Sequence, residues 1–330
     1  MTTPAPAEEL AFTLDAQCAG MRLDAALHTA QPRFSRSYLT KLLKEGAILV
    51  NGLSPKPSHK VKGGEHVEIE VPPPEVLDAL PEAIPLEVLY EDSDIIVVNK
   101  PFGMAAHPSP GHASGTLVNA LLAHCKDLST INGALRPGIV HRLDMDTTGA
   151  IVAAKNDAAH QGLQDQFMAR SVKKQYLALC HGNPVKDTFS CDGRIGRHPT
   201  RRTEMTVLRG ASEGREAFTE FQVLQRLLMT NPDEPNARFV PPIALLLCLP
   251  KTGRTHQIRV HLAKTGHTIL ADGLYGREAA VEVLGLKRHA LHAWKLAFKH
   301  PRTGESLQFV APLADDLKEA LRRLGGTLPA

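Results

Sequence analysis

Apolar residues alternate with charged ones over Val67, Ile69 and Val71, the period of a half-buried strand. Upstream, Met21–His28 reads as a short helix. Ser35 is a candidate cap for a second helix, which carries Leu39, Leu42 and Leu43 on one face and stops at Gly46. Ala47–Val50 predicts a short strand. Asn51-Gly52 and Gly63-Gly64 are turn signals. Together these make one small unit over 11–71. Residues 1–10, rich in Ala, Pro, Thr and Glu, are expected to be a disordered start. Pro72, Pro73 and Pro74 break the pattern, and 72–85 reads as an acidic, proline-containing linker.

The remainder, 86–312, predicts one larger domain. Asp94–Val98 is an apolar strand, and a helix begins near Gly115, with Ser114 or Thr116 at its cap. Ile139–Leu143 and Ala150–Ala154 are strands on either side of a polar loop. Lys173–Leu179 alternates as a strand. Thr230–Pro242, rich in Pro, Asn and charge, predicts an exposed loop. Ala314–Leu324 predicts a closing helix within the final segment, 313–330.

Composition adds bounds. The 330 residues are 43% apolar, enough for two domains with real cores, and the formal net charge of +3 permits a nucleic-acid partner without requiring one. The five cysteines include no CxxC pair, which argues against a disulfide framework or zinc knuckle and for scattered reduced thiols. No secretory signal opens the chain and no apolar run approaches the ~18 residues of a membrane span, so a soluble cytoplasmic protein is expected. Charge is uneven. Between Arg33 and Lys62 lie seven basic residues, Arg36 and Lys41 among them, and one acid, Glu45. Phosphate backbones attract such a surface, although a solvated basic face reads equally well.

Four segments stand out for chemistry: Asn99–Met104 running on to His107-Pro108, Gly138–Gly149, Lys173–Leu179, and Lys251–Leu262. The second places Asp144, Asp146, Thr147 and Thr148 on a loop between apolar runs. Such a loop often belongs to a site, while an Asx-type turn is the plainer reading. In the fourth, Thr255 suits a helix cap and Gly266 a helix stop, with Ile258, Val260 and Leu262 leaving strand open. His256 and His261 are five apart, off a common helical face, so structural or RNA-contacting roles fit better than a metal site.

Taken in order, Arg22-Leu23-Asp24, Ser35-Arg36-Ser37, Lys44-Glu45-Gly46, Val50-Asn51-Gly52 and Val61–Glu65 resemble the S-four-like alpha-L RNA-binding module. His141-Arg142-Leu143-Asp144 with Thr147-Thr148-Gly149, and Gly253–His261, closely resemble the RluA-type pseudouridine synthases over about 90–310. Within that family, Asn99–His107 through Asn119–Leu122 looks most like the D-type branch, whose members act on the ribosomal large subunit. Gly273 departs from the family's Asp-Pro-x-Tyr-Gly turn, and Ala150 stands where a larger apolar residue is common.

The resemblance implies an α+β protein: an alpha-L domain followed by a catalytic domain with a mixed, largely antiparallel sheet, flanking helices and a cleft. It implies a pseudouridine synthase without cofactor or metal, acting as a monomer on large-subunit ribosomal RNA or its assembly intermediate. Transfer RNA, or a non-catalytic RNA-binding assembly role, are the alternatives. Asp144 matches the essential aspartate, Tyr176 the tyrosine that stacks on the target base and assists proton removal, and Arg254 the arginine that pairs with the aspartate. Arg142 matches the arginine that holds the target nucleotide's space. Lys174 and Leu262 match pocket-lining positions, and Arg36, Lys41 and Asn51 fall where the small module meets RNA. The reaction breaks the sugar–nitrogen bond, turns the base and rejoins it at carbon 5. Asp144 could serve as nucleophile or as elimination base, and the sequence does not choose.

Overall fold

The computed structural model describes residues 8–34, 36–56, 58–71, 79–109, 112–125, 128–129, 136–201, 203–208, 210, 213–227, 242–276 and 284–329. Ser35, the triple proline and most of Thr230–Pro242 lie outside them. The chain divides into two compact units, Met1–Val76 and Leu77–Ala330.

In the first unit, β1 (Glu8–Thr13), β3 (His66–Val71) and β2 (Ile48–Val50) form an antiparallel sheet in that order. α1 (Leu23–Ala30) and α2 (Arg36–Glu45) bury Leu23, Leu27, Leu39 and Leu42 against Ile48, Val67 and Ile69. Asn51 and Gly52 both hold positive φ, as a tight turn requires. Strand β1 corrects the last part of the expected disordered start, since Glu8, Glu9 and Leu10 pair with Val71, Glu70 and Ile69, while 1–7 lie outside the described residues. Partnership across the sheet orders a stretch whose composition carries little signal.

The second unit holds a ten-stranded sheet. Its strands are β4 (Glu87–Glu91), β5 (Ile95–Lys100), β6 (Thr148–Ala154), β7 (Lys173–His181), β8 (Thr188–Arg197), β9 (Met205–Leu208), β10 (Arg215–Leu227), β11 (Ile243–Pro250), β12 (Leu291–Lys299) and β13 (Ser306–Val310). The order is β4-β5-β6-β12-β7-β11-β10-β8-β9, with β13 on β12. Among the described residues, every strand pairing is antiparallel except β6 with β12. The helices are α3 (Leu117–His124), α4 (Asp157–Met168), α5 (Gln257–Lys264) and α6 (Asp315–Arg323). The protein is therefore α+β with a mixed, largely antiparallel sheet. No described helix is long and apolar enough to cross a membrane.

Three expectations need correction. Ile139–Leu143 is not a strand: Ile139 makes one isolated bridge to Ala153. The N–H of Val152 instead donates to the His141 ring at 3.1 Å, so a side chain takes a place a strand backbone would occupy. The cap of the helix after Gly253 is His256, one residue beyond the expected Thr255; it holds left-handed φ 55°, so the helix begins at Gln257. Residues 79–85 are no free linker. Asn119 Nδ2 donates to Leu80 O at 2.7 Å, and Ala79 and Ile84 pack on the core beside α3. Apolar contacts there outweigh the proline-rich composition.

Candidate active site

A cleft of about 510 Å³ opens where four stretches meet: the loop before β6, the end of α4, the start of β7 and the run from Pro250 into α5. Asp144 lies on the loop, with its side chain 17% exposed. The fully buried Lys100, at the end of β5, donates to Pro101 O, Met104 O and Met145 O at 2.7, 2.8 and 2.8 Å. Burial pushes its amine down to about 7. Arg288 Nη1 donates to Asp146 O at 3.0 Å. Thr147 and Thr148 hydroxyls bond His289 and His292, each at 2.8 Å. Gly149 closes the loop where no side chain fits: at φ 114°, a Cβ would stand 2.2 Å from Ala293 O. The polar run is thus a loop bound on several sides, and the Asp144 carboxylate turns to Arg259 instead of closing an Asx turn.

Arg259 Nη1 donates to Asp144 Oδ2 at 3.2 Å. The same guanidinium forks onto Asp272, Nε to Oδ2 at 2.7 Å and Nη2 to Oδ1 at 2.8 Å. Burial alone would raise the Asp272 carboxyl, but the bonds and charge of Arg259 outweigh it and hold the group below the usual range. Asp272 also accepts from the N–H groups of Leu274 and Tyr275, so the turn closes with Gly273 in the place of the family's Pro. His256 Nε2 stands 4.0 Å from Asp144 Oδ2, and its Nδ1 lies 2.9 Å from Tyr275 Oη. Burial lowers the His256 ring, more than the neighbouring carboxylates raise it.

Tyr176, half-buried on β7, faces the same cleft. Burial, then the Asp144 charge, push its phenol well above the ordinary value, so it stays protonated at neutral pH. Lys174, two residues earlier on the strand, also lines the cleft and donates to Thr252 O at 3.3 Å. Burial and then Arg254 lower its amine to about 8. Arg142 is exposed on the cleft wall, as is Arg170. Arg254 also lines the cleft, and its pKa is depressed by burial and by the charges of Arg215 and Arg170. Crowded cations of this kind favour a polyanion.

Two assignments move. Arg254 does not pair with Asp144; its Nε donates to Glu216 O at 3.0 Å, and Arg259 takes that place. Both arginines lie in one run, Arg254 before the left-handed turn at His256 and Arg259 beyond it on α5. Leu262 is fully buried in the core below α5 and does not line the cleft. In the first unit, Arg36 donates to Asp24 at 2.7 Å while remaining half exposed. Lys41 stands 3.8 Å from Glu45. The Asn51 side chain accepts from His66 N at 2.9 Å and so supports its turn. Among the described residues, the one cluster with metal-ligand chemistry is Asp92, Asp94 and His300, outside the cleft. Its atoms are engaged: His300 bonds Asp92 at 2.9 Å, and Arg302 bonds Asp94 at 2.7 Å.

A mixed sheet with a carboxylate, a tyrosine and clustered cations in one cleft, in a chain that also carries a separate small unit, fits an enzyme that acts on a polyanion such as RNA. The family model for RNA pseudouridylate synthase matches 94–264, and the S4 domain model matches 21–67. The chain is 43% identical to an uncharacterized RNA pseudouridine synthase, YlyB, of Bacillus subtilis, over 92% of this chain and 94% of that one. It is 41% identical to ribosomal large subunit pseudouridine synthase D of Neisseria meningitidis serogroup A, over 94% of this chain and 81% of that one. The structure of human RNA pseudouridylate synthase domain containing 4 superposes with a TM-score of 0.55, at 25% identity, covering 74% of this chain and 95% of that one. The chain belongs to the RNA pseudouridylate synthase family: it is an RNA pseudouridine synthase with an S-four RNA-binding domain.

Proposed function

We propose that the enzyme isomerises particular uridines of large-subunit ribosomal RNA in the cytoplasm, with Asp144 as the essential carboxylate. One observation carries the catalytic reading: Asp144 is held by Arg259 within a cleft that also presents Tyr176 and a set of cations. The ribosomal assignment leans on relatives named as large-subunit synthases, such as the Neisseria protein.

The target atoms are out of reach inside a stacked helix, so the nucleotide must flip out. Tyr176 then offers a face on which the base stacks, a contact generally worth ~1–3 kcal/mol. Arg142, exposed at the wall, suits the space left by the nucleotide or its phosphate. Arg259 orients the carboxylate and leaves Asp144 Oδ1 to meet the substrate. A protonated Tyr176 is a weak base, which favours stacking over direct proton removal from carbon 5. Arg36 and Lys41 in the first unit would meet phosphates and dock the RNA by shape.

The test is to map pseudouridine by carbodiimide labelling and primer extension in ribosomal and transfer RNA. Wild type, a deletion strain and the deletion rescued with Asp144→Asn are compared. Specific large-subunit sites should vanish on deletion, return with the wild-type gene and stay absent with Asp144→Asn. Loss confined to transfer RNA would redirect the substrate, and full rescue by Asp144→Asn would remove the catalytic assignment.

A further inference from the structure

Four helices end in one hydrogen-bond pattern, in which a residue of positive φ donates three residues back and its successor five back. At α2 the pair is Gly46 to Leu43 and Ala47 to Leu42; at α5, Gly266 to Ala263 and His267 to Leu262. At α6 it is Gly325 to Arg322 and Gly326 to Leu321. Each of these three places glycine at the left-handed position, where a side chain is strained. At α4 the bonds run from Arg170 to Phe167 and from Ser171 to Gln166, so Arg170 holds φ 57° where the other helices use glycine.

Arg170 is also the one of these four positions that lines the cleft. Its side chain is exposed, and among the described residues no carboxylate lies within ion-pair distance of it. Arg142, Lys174 and Arg254 share the lining, so the local field is positive. A cation without an ion pair, kept at a position where the other helices use glycine, points to a contact made outside the protein. A guanidinium presents a planar fork matched to phosphate oxygens. A base reaching Asp144 from an RNA strand must bring its flanking phosphates past the cleft wall.

We infer that Arg170 is an RNA-binding residue that grips a backbone phosphate beside the flipped uridine. This rests on the RNA substrate reading above.

The experiment uses the full-length protein and an unmodified transcript of large-subunit ribosomal RNA. Wild type, Arg170→Gly and Arg170→Lys are compared for thermal midpoint, steady-state kinetics and salt dependence of binding. Arg170→Gly should keep or raise the thermal midpoint, since glycine relieves the backbone. It should raise KM roughly tenfold with a much smaller change in kcat, and lower the slope of log affinity against log salt by about one. Arg170→Lys should keep most of the slope. An Arg170→Gly protein with wild-type KM and salt slope overturns the proposal, as does a lowered thermal midpoint with an unchanged slope, which would make Arg170 structural. A wild-type protein that converts no uridine of the transcript would count against the substrate reading instead, while the binding comparison still decides Arg170.

Discussion

The guanidinium of Arg259 serves two carboxylates, and the two contacts differ in kind. Toward the fully buried Asp272 it is a bidentate ion pair; toward Asp144 it is a single bond at 3.2 Å that aims a carboxylate into the cleft. Removing it should therefore damage stability and activity separately. Arg259→Met should destabilise the fold by ~3–5 kcal/mol in denaturant titration, because Asp272 is left buried and unpaired. Adding Asp272→Asn should recover much of that loss, yet activity should remain down by roughly 100-fold, because Asp144 is no longer aimed. Restoration of activity by the double substitution would show that Arg259 acts only through stability. At this scale Asp144, Tyr176, Lys174 and Arg142 were legible in the sequence as a set, through their motifs. The partner of Asp144 was not. Arg254 and Arg259 stand five apart in one run, and the left-handed turn at His256 decides which of them faces the aspartate.

At the scale of elements, the cleft depends on the join between β6 and β12, the one parallel pairing among the described strands. There Gly149 lies opposite Ala293, so closely that a Cβ would stand 2.2 Å from the Ala293 carbonyl oxygen. Gly149→Ala should destabilise by ~3 kcal/mol or more, since left-handed strain of ~1–3 kcal/mol adds to the overlap. Gly273→Ala, where a Cβ meets nothing within 4 Å, should change stability by less than ~0.5 kcal/mol. Equal denaturant midpoints for the two variants would refute the close approach. The elements most visible in the sequence were those with clear periodicity, such as β3, α2 and β7. The Ile139–Leu143 run imitates a strand because apolar residues there pack on β6 without joining its ladder. Periodicity reports burial and is silent on which backbone groups pair.

For the whole molecule, buried neutral histidines set the response to acid. Burial is the leading cause that pushes His107, His261, His289 and His292 down to about 4 and His141 to about 3. Unfolded, each would titrate near ~6.5. Between these values the unfolded chain binds more protons than the folded one, so their stability contribution is complete above pH 6.5 and is lost as pH falls toward 4 and below. The thermal midpoint should fall steeply from pH 6.5 to 4. His289→Gln, at a ring that bonds Thr147, should flatten that fall, and an unchanged pH profile would contradict the buried neutral state. Motifs and their order were enough to declare the family and its two kinds of domain, because residue identity and spacing are local properties of the chain. Three things were decided only in the tertiary structure: that Arg259 is the residue that meets Asp144, that Leu262 belongs to the core, and that residues 79–85 pack on the second unit. Each depends on backbone handedness or on contacts between segments far apart in sequence, which no local pattern encodes.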